Sequence, residues 1–160
     1  MKKLKAISIV EVLVYFALFG IIFLAIISFM ISVVDNNSIA EQRIDLQKSS
    51  IFVMNHLNNS FDLTNSINTD NSIFNNNNGK IVLNLTSGTV QYYVSNNVLH
   101  YVENGTDYIL TTVDYNITKF YLERVLNGKD ELVGARFDIK FQSVKTSNNY
   151  FTLQTSLLFK

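Results

Sequence analysis

The 160-residue chain contains no cysteine, no proline and no tryptophan, and only six glycines. Without cysteine it can form neither a disulfide nor a thiolate metal site. The glycines are isolated from one another, so the sequence has no glycine-rich loop of the kind that cradles phosphate groups. Thirteen basic residues balance thirteen acidic ones. The chain therefore has no net positive field, and we expect no nucleic-acid partner.

Histidine is nearly as scarce, since His56 and His100 are the only two. Each has few neighbouring carboxylates to complete a zinc site, and neither lies in a Gly-x-Ser-x-Gly-like context. Several carboxylates of the second half are expected to be solvated at turns and strand ends, with a bound cation as the alternative: Asp107, Asp114, Asp130 and Glu131. We therefore predict no catalytic residue, no metal and no cofactor, and the protein is not expected to be an enzyme.

A long apolar segment lies near the N-terminus. No residue from Val12 to Val34 is charged, and roughly 20 such residues are enough for a helix to cross a bilayer. Three lysines precede the segment and Asp35 follows it, which keeps the N-terminus in the cytoplasm and exports the remainder under the positive-inside rule. The sequence predicts a single-pass protein of the inner membrane with an extracytoplasmic C-terminal domain.

Glu11 lies inside the apolar run that starts at Ile7, with no basic residue near it on the helix. A carboxylate deep in a membrane costs on the order of a few kcal/mol, so a residue of this kind indicates a function. The alternative is that Glu11 lies near enough to the end of the span to reach the cytoplasmic interface. Position alone leaves both interpretations open.

The sequence Lys5-Ala-Ile-Ser-Ile-Val-Glu-Val-Leu13 resembles the prepilin (class III) signal of type IV pilins and type II secretion pseudopilins. That pattern combines a short basic leader, a small residue, a hydrophobic first mature residue and a glutamate at the fifth mature position. Here Ala6 replaces the usual glycine and Ile7 replaces the frequent phenylalanine. A secretory signal differs, because its apolar core is shorter and ends in small residues before the cut.

The resemblance implies that prepilin peptidase cleaves between Ala6 and Ile7 and that the new amine of Ile7 is methylated. It also implies that Glu11 pairs with the N-terminal amine of a neighbouring subunit during filament assembly. The implied partners are other pilins or pseudopilins, the peptidase and an assembly platform in the inner membrane. The corresponding segments are a leader (residues 1–6), a transmembrane and filament-core helix (7–34), an amphipathic helix (35–60) and a β-domain (61–160).

Helical spacing continues beyond the apolar run. The residues at intervals of seven and four are Ile39, Leu46, Val53, Leu57 and Phe61, and the stripe is widened by Ile44, Ile51, Phe52 and Met54. This spacing predicts that one face of the helix is buried against a domain. We expect one continuous helix from Ile7 to about Asn59, because no proline or glycine interrupts it there. The alternative is two helices with a break between Asp35 and Ser38.

Residues 61–80 are polar and rich in asparagine, and we predict a surface loop there, held to the core by Ile67 and by Ile73 and Phe74. Beyond the loop, period-two alternation between turn signals predicts an antiparallel sheet. The predicted strands are Ile81–Thr86, Val90–Val94, Val98–Val102, Tyr108–Thr111, Ile117–Leu126, Val133–Val144 and Tyr150–Phe159. Within the sixth, we expect Phe137, Ile139 and Phe141 to face inward.

The predicted fold class is α+β, a long N-terminal helix packed on an antiparallel β-domain. This order is similar to the pilin fold, and the downstream part is similar to minor pseudopilins of the J type in type II secretion. The resemblance implies a structural filament subunit, located in the membrane and then in a periplasmic or cell-surface filament. The alternatives are a filament-tip module that captures DNA or a surface, and a plain signal-anchored domain.

Tyrosines are concentrated in the predicted sheet, at Tyr92, Tyr93, Tyr101, Tyr108, Tyr115 and Tyr121. Cross-strand packing between tyrosines is the first interpretation, because such pairs stabilise sheets. A contact surface for another subunit, a surface ligand or single-stranded DNA is the alternative. Basic residues lie nearby in the sequence but form no contiguous stripe.

Overall fold

A computed structural model describes residues 9–112, 114–146 and 148–159. Helix α1 (Ile9–Asp62) precedes eight strands: β1 (Thr64–Ile67), β2 (Lys80–Leu85), β3 (Gly88–Ser95), β4 (Val98–Glu103), β5 (Thr106–Ile109), β6 (Tyr115–Leu126), β7 (Leu132–Ser143) and β8 (Tyr150–Leu158). This is the predicted α+β order. The chain divides into two compact units, one ending at Glu41 and one beginning at Gln42.

The described part of the first unit is entirely helical. Its large hydrophobic side chains between Ile9 and Val34 are exposed, and the helix is long and apolar enough to cross a membrane. The helix passes through Asp35–Ser38 without a break, so the alternative of two separate helices is wrong. A single-pass membrane anchor fits these properties.

In the second unit, one face of α1 enters the core. The buried apolar residues on that face are Leu46, Val53, Leu57 and Phe61, as predicted. The expected widening of the stripe is wrong for Ile44, Ile51 and Phe52, which are half or more exposed, whereas Met54 is half-buried; Ile39 of the stripe itself is also exposed. At about 100° per residue, Ile44 and Ile51 lie on the opposite side of the helix from Leu46 and Val53.

The first sheet is an antiparallel meander in the order β1-β2-β3-β4-β5. Two of its hairpins use pairs of residues with positive φ, Asn96–Asn97 and Asn104–Gly105. Asparagine and glycine tolerate this conformation, and the resulting turns match the twist of the flanking strands. These two dipeptides are thereby explained as hairpin turns. The fifth strand lies at Thr106–Ile109 rather than at the predicted Tyr108–Thr111.

Strand β1 lies inside the segment predicted to be a loop and pairs with β2. Its two buried residues, Thr64 and Ile67, are three positions apart because the register shifts between Thr64 and Ser66. That bulge removes the period-two signal. Ile67 is buried as predicted and Phe74 packs against the core, but Ile73 is exposed. The backbone of Ile73, rather than its side chain, is held, through a bridge to Lys80.

The second sheet has the order β6-β7-β8, all antiparallel. Phe137, Ile139 and Phe141 of β7 are fully buried, which confirms their predicted inward orientation. Together with residues of α1 and of the first sheet they form one hydrophobic core. The second unit is therefore a helix segment and two antiparallel sheets around a shared interior.

Candidate functional site

The predicted cleavage and methylation residues, Ala6 and Ile7, lie outside the described residues. Glu11 is described and lies in the first turn of α1. It is the only charged residue between Ile9 and Val34, and its side chain is exposed along with its apolar neighbours. An ionised group at this place needs a polar partner if the segment is in a membrane.

Tyr15 supplies one such partner within the same helix. Its hydroxyl donates a hydrogen bond to Oε1 of Glu11 at 3.3 Å, one helical turn away. Residues at i and i+4 of a helix are neighbours, so a tyrosine placed there can reach the carboxylate. Sequence reasoning missed this contact because it searched for a basic partner. The available signal was the spacing of four residues between Glu11 and a tyrosine hydroxyl.

Aromatic side chains lie next to the Glu11–Tyr15 pair on the surface of α1. Tyr15 forms a shallow apolar recess with Val12, Phe16 and Phe19, and the ring of Phe19 stacks on that of Phe23 at 6.2 Å. The polar pair is therefore flanked by side chains that favour lipid or another apolar helix. The arrangement can pair a positive charge and bury apolar surface at the same place.

A second polar cluster connects α1 to the first sheet. The hydroxyl of Tyr92 on β3 lies 2.7 Å from Nδ1 of His56 and 2.6 Å from Oγ of Ser60. Tyr92 is fully buried, and burial raises its pKa. Burial lowers the pKa of His56, although the nearby charge of Glu103 opposes this effect. The cluster joins two side chains one turn apart on α1 to a tyrosine more than 30 residues away, and it satisfies a buried hydroxyl.

Tyr101 and Glu103 lie beside that cluster on β4. The Tyr101 ring packs against His56 at 4.4 Å. Burial and then a hydrogen bond to Glu103 raise the pKa of Tyr101 to about 12. The hydroxyl therefore stays protonated at neutral pH and donates to the carboxylate.

His100 lies on the opposite face of β4 from Tyr101, as expected for adjacent strand residues. Its Nδ1 is 3.1 Å from Oδ1 of Asp107, its ring stacks on Tyr93, and the Tyr93 hydroxyl donates to the same carboxylate. The two histidines are thus in separate clusters. Across residues 9–112, 114–146 and 148–159, no three histidine, aspartate or glutamate side chains are close enough to hold a metal ion.

The tyrosine row of the first sheet packs across strands. Tyr92, Tyr101 and Tyr108 are paired in register, with ring centroids 5.3 and 6.0 Å apart. Two basic side chains that could have formed a nucleic-acid surface are paired with carboxylates instead. Lys119 contacts Asp138 at 2.6 Å and Arg136 lies 3.9 Å from Glu123. These pairs reduce the support for DNA capture.

No family model, curated protein or solved structure matches this chain. Function is therefore inferred from the residues and their geometry.

Proposed function

We propose that this chain is a minor pilin or pseudopilin, a structural subunit of a type IV pilus-like or type II secretion filament. In this proposal the chain is cleaved after Ala6, methylated at Ile7 and assembled through its N-terminal helix. Prepilin peptidase, an assembly platform and other pilin-like subunits are its partners. A J-type minor pseudopilin is the subtype that its sequence resembles.

The observation that carries the proposal is the single carboxylate of Glu11 in an otherwise uncharged apolar helix. A plain membrane anchor gains nothing from a charge that costs on the order of a few kcal/mol in lipid. A filament subunit does gain, because a carboxylate paired with the amine of a neighbouring Ile7 is stabilised only in the correct register. Tyr15 supports this role, because its hydroxyl partly satisfies Glu11 within the single chain.

The uninterrupted course of α1 also supports the proposal. The helix that fits a membrane anchor is the same helix whose later residues, Leu46 to Phe61, enter the core of the second unit. A plain anchor needs no such continuity, since a flexible linker would serve. A subunit that is pulled from the membrane into a filament requires a helix that transmits force to its domain.

The N-terminal mass of the protein isolated from its host membranes tests the proposal. We expect a chain that begins at Ile7 and carries one added methyl group. Cells lacking prepilin peptidase should yield the intact Met1 chain, and the variant Ala6→Gly should be processed like the parent. An intact Met1 start in peptidase-containing cells would instead indicate a plain signal-anchored domain.

The variant Glu11→Gln separates processing from assembly. We expect its N-terminus to be processed normally, while its fraction in sheared filaments falls roughly tenfold. A helix without this charge loses about 1.4 kcal/mol of the free energy that aligns it with its neighbour in the filament. Glu11→Asp is the matched control, because it keeps the charge on a shorter side chain and should retain part of the assembly. Normal incorporation of Glu11→Gln would remove the role proposed for this carboxylate.

A further inference from the structure

A cleft of about 190 Å³ opens between the end of α1 and the first sheet. His56, Ser60 and Leu63 line it from the helix side, and Leu85, Tyr101 and Glu103 line it from β2 and β4. At about 30 Å³ per water, the cleft has room for roughly six waters. It can therefore hold one extended side chain, but not a folded element.

The cleft is negatively polarised. Glu103 is exposed, and no lysine or arginine lines the cleft. The last turn of α1 has no basic residue, so the partial negative charge of the helix C-terminus is not offset there. His56 adds no positive charge at neutral pH, because burial lowers its pKa.

Glu103 differs in this respect from the carboxylates of the neighbouring surfaces. Asp107, Glu123 and Asp138 each have a histidine, arginine or lysine within 4 Å. For Glu103, the described part of the chain offers a hydrogen bond from Tyr101 but no basic side chain in an ion pair. A neutral hydroxyl leaves the charge of the carboxylate in place.

The remaining lining suits an alkyl chain that ends in a cation. Leu63 is 65% exposed and Leu85 is half-buried beside it, so both offer apolar surface for methylene groups. The Tyr101 ring lies near the carboxylate, and aromatic faces attract cations. The opposite wall is fixed in place, because His56 and Ser60 are both hydrogen-bonded to Tyr92. A pre-formed wall lowers the entropy cost of binding.

We propose that this cleft receives a lysine or arginine side chain from a protein partner, with the alkyl stem on Leu63 and Leu85 and the charged end at Glu103. Arginine is enriched among the residues that dominate binding at protein interfaces, which favours it over lysine. The proposal does not depend on prepilin processing, because all of its residues belong to the second unit.

The first experiment titrates the full-length protein, in detergent micelles, with Nα-acetyl-arginine amide while NMR follows the Tyr101 and His56 rings. We expect saturable shifts in the millimolar range and none from Nα-acetyl-citrulline amide, which has the same shape without the charge. Glu103→Gln should weaken binding about fivefold, as for a partly exposed charge-assisted contact. Glu123→Gln is the matched control and should bind like the parent.

The second experiment identifies the source of the side chain. A photo-crosslinking amino acid replaces Ser87 at the rim of the cleft in the full chain in host membranes, and the crosslinked peptide is mapped. We expect a peptide containing lysine or arginine. The yield of the crosslinked product should fall in the Glu103→Arg variant. It should be restored when the partner's basic residue is also changed to glutamate.

Three results would overturn the proposal. Equal binding of the citrulline compound would show that no cation is required, and equal loss in Glu123→Gln would place binding elsewhere. Tight binding of the free arginine compound without any protein crosslink would assign the cleft to a small molecule rather than to a partner chain.

Discussion

The Tyr15 hydroxyl donates to Oε1 of Glu11 across one turn of α1, at 3.3 Å. The contact joins two polar side chains of an apolar run that has no lysine or arginine between Ile9 and Val34. A carboxylate in a membrane is costly, and one hydrogen bond reduces that cost. Tyr15 thus gives Glu11 a polar partner inside its own helix.

A double-mutant cycle measures this contact. We expect Tyr15→Phe and Glu11→Leu to be coupled by about 0.5–1.5 kcal/mol in the free energy of membrane insertion, the range for one hydrogen bond. The measurement is glycosylation-based insertion of the helix into microsomes for the parent, both single variants and the double variant. The cycle cancels the greater hydrophobicity of phenylalanine. A coupling of zero would mean that the hydroxyl does not support the carboxylate.

The hydroxyl of Tyr92 stabilises the second unit. Tyr92→Phe keeps the ring but leaves Nδ1 of His56 and Oγ of Ser60 without their common partner. We expect the free energy of unfolding to fall by about 1–3 kcal/mol, the cost of unsatisfied buried groups. Urea unfolding of the full chain in detergent, followed by near-ultraviolet circular dichroism, measures it. Tyr93→Phe is the control and should cost less than half as much, because its hydroxyl contact to Asp107 is exposed.

The sequence predicted those elements that have a regular local pattern. The continuous course of α1 and the inward side chains of β7 follow from periods of 3.6 and 2 residues, which short stretches of sequence record. Strand β1 was missed because its bulge breaks the alternation. The outward orientation of Ile44 and Ile51 was missed because every apolar residue was assigned to a single stripe, although two lie on the opposite helix face.

The polar clusters could not be predicted from the sequence, for a different reason. His56 and Tyr92 are 36 residues apart, and no spacing rule connects a helix residue to a strand residue at that separation. Glu103 was not among the carboxylates that the sequence singled out, because only the folded sheet places it beside the end of α1. The motif around Glu11 is local, so the sequence alone could point to it.

The pKa of His56, which burial lowers, predicts how stability depends on pH. Since the folded-state pKa lies below the unfolded value of about 6.5, the unfolded chain binds a proton first as the pH falls. We expect the free energy of unfolding to be highest above about pH 6.5. Below that pH it should decrease until His56 is protonated in the folded state too. Tyr92, Tyr101 and Glu103 are the titratable groups that face His56.

The check is the free energy of unfolding between pH 8 and pH 5 for the parent and for His56→Gln. His56→Gln should remove part of the pH-dependent decrease, because it removes the group whose pKa differs between the two states. An unchanged slope in His56→Gln would show that carboxylates rather than this histidine cause the pH dependence.

Gly134 of β7 pairs with Leu158 of β8. A Cβ added there would lie 2.1 Å from the carbonyl oxygen of Leu157 and 2.8 Å from Cδ2 of Leu158. The leucine side chain can move aside, but the carbonyl belongs to the paired strand and can move only if β8 moves with it. We expect Gly134→Ala to lower the free energy of unfolding by about 1–3 kcal/mol, as other overpacked sites do.

Gly128→Ala is the control, because it has open space around the added carbon and should leave the urea midpoint nearly unchanged. Equal midpoints for both variants would mean that β8 shifts freely on β7, which would contradict the register of the second sheet.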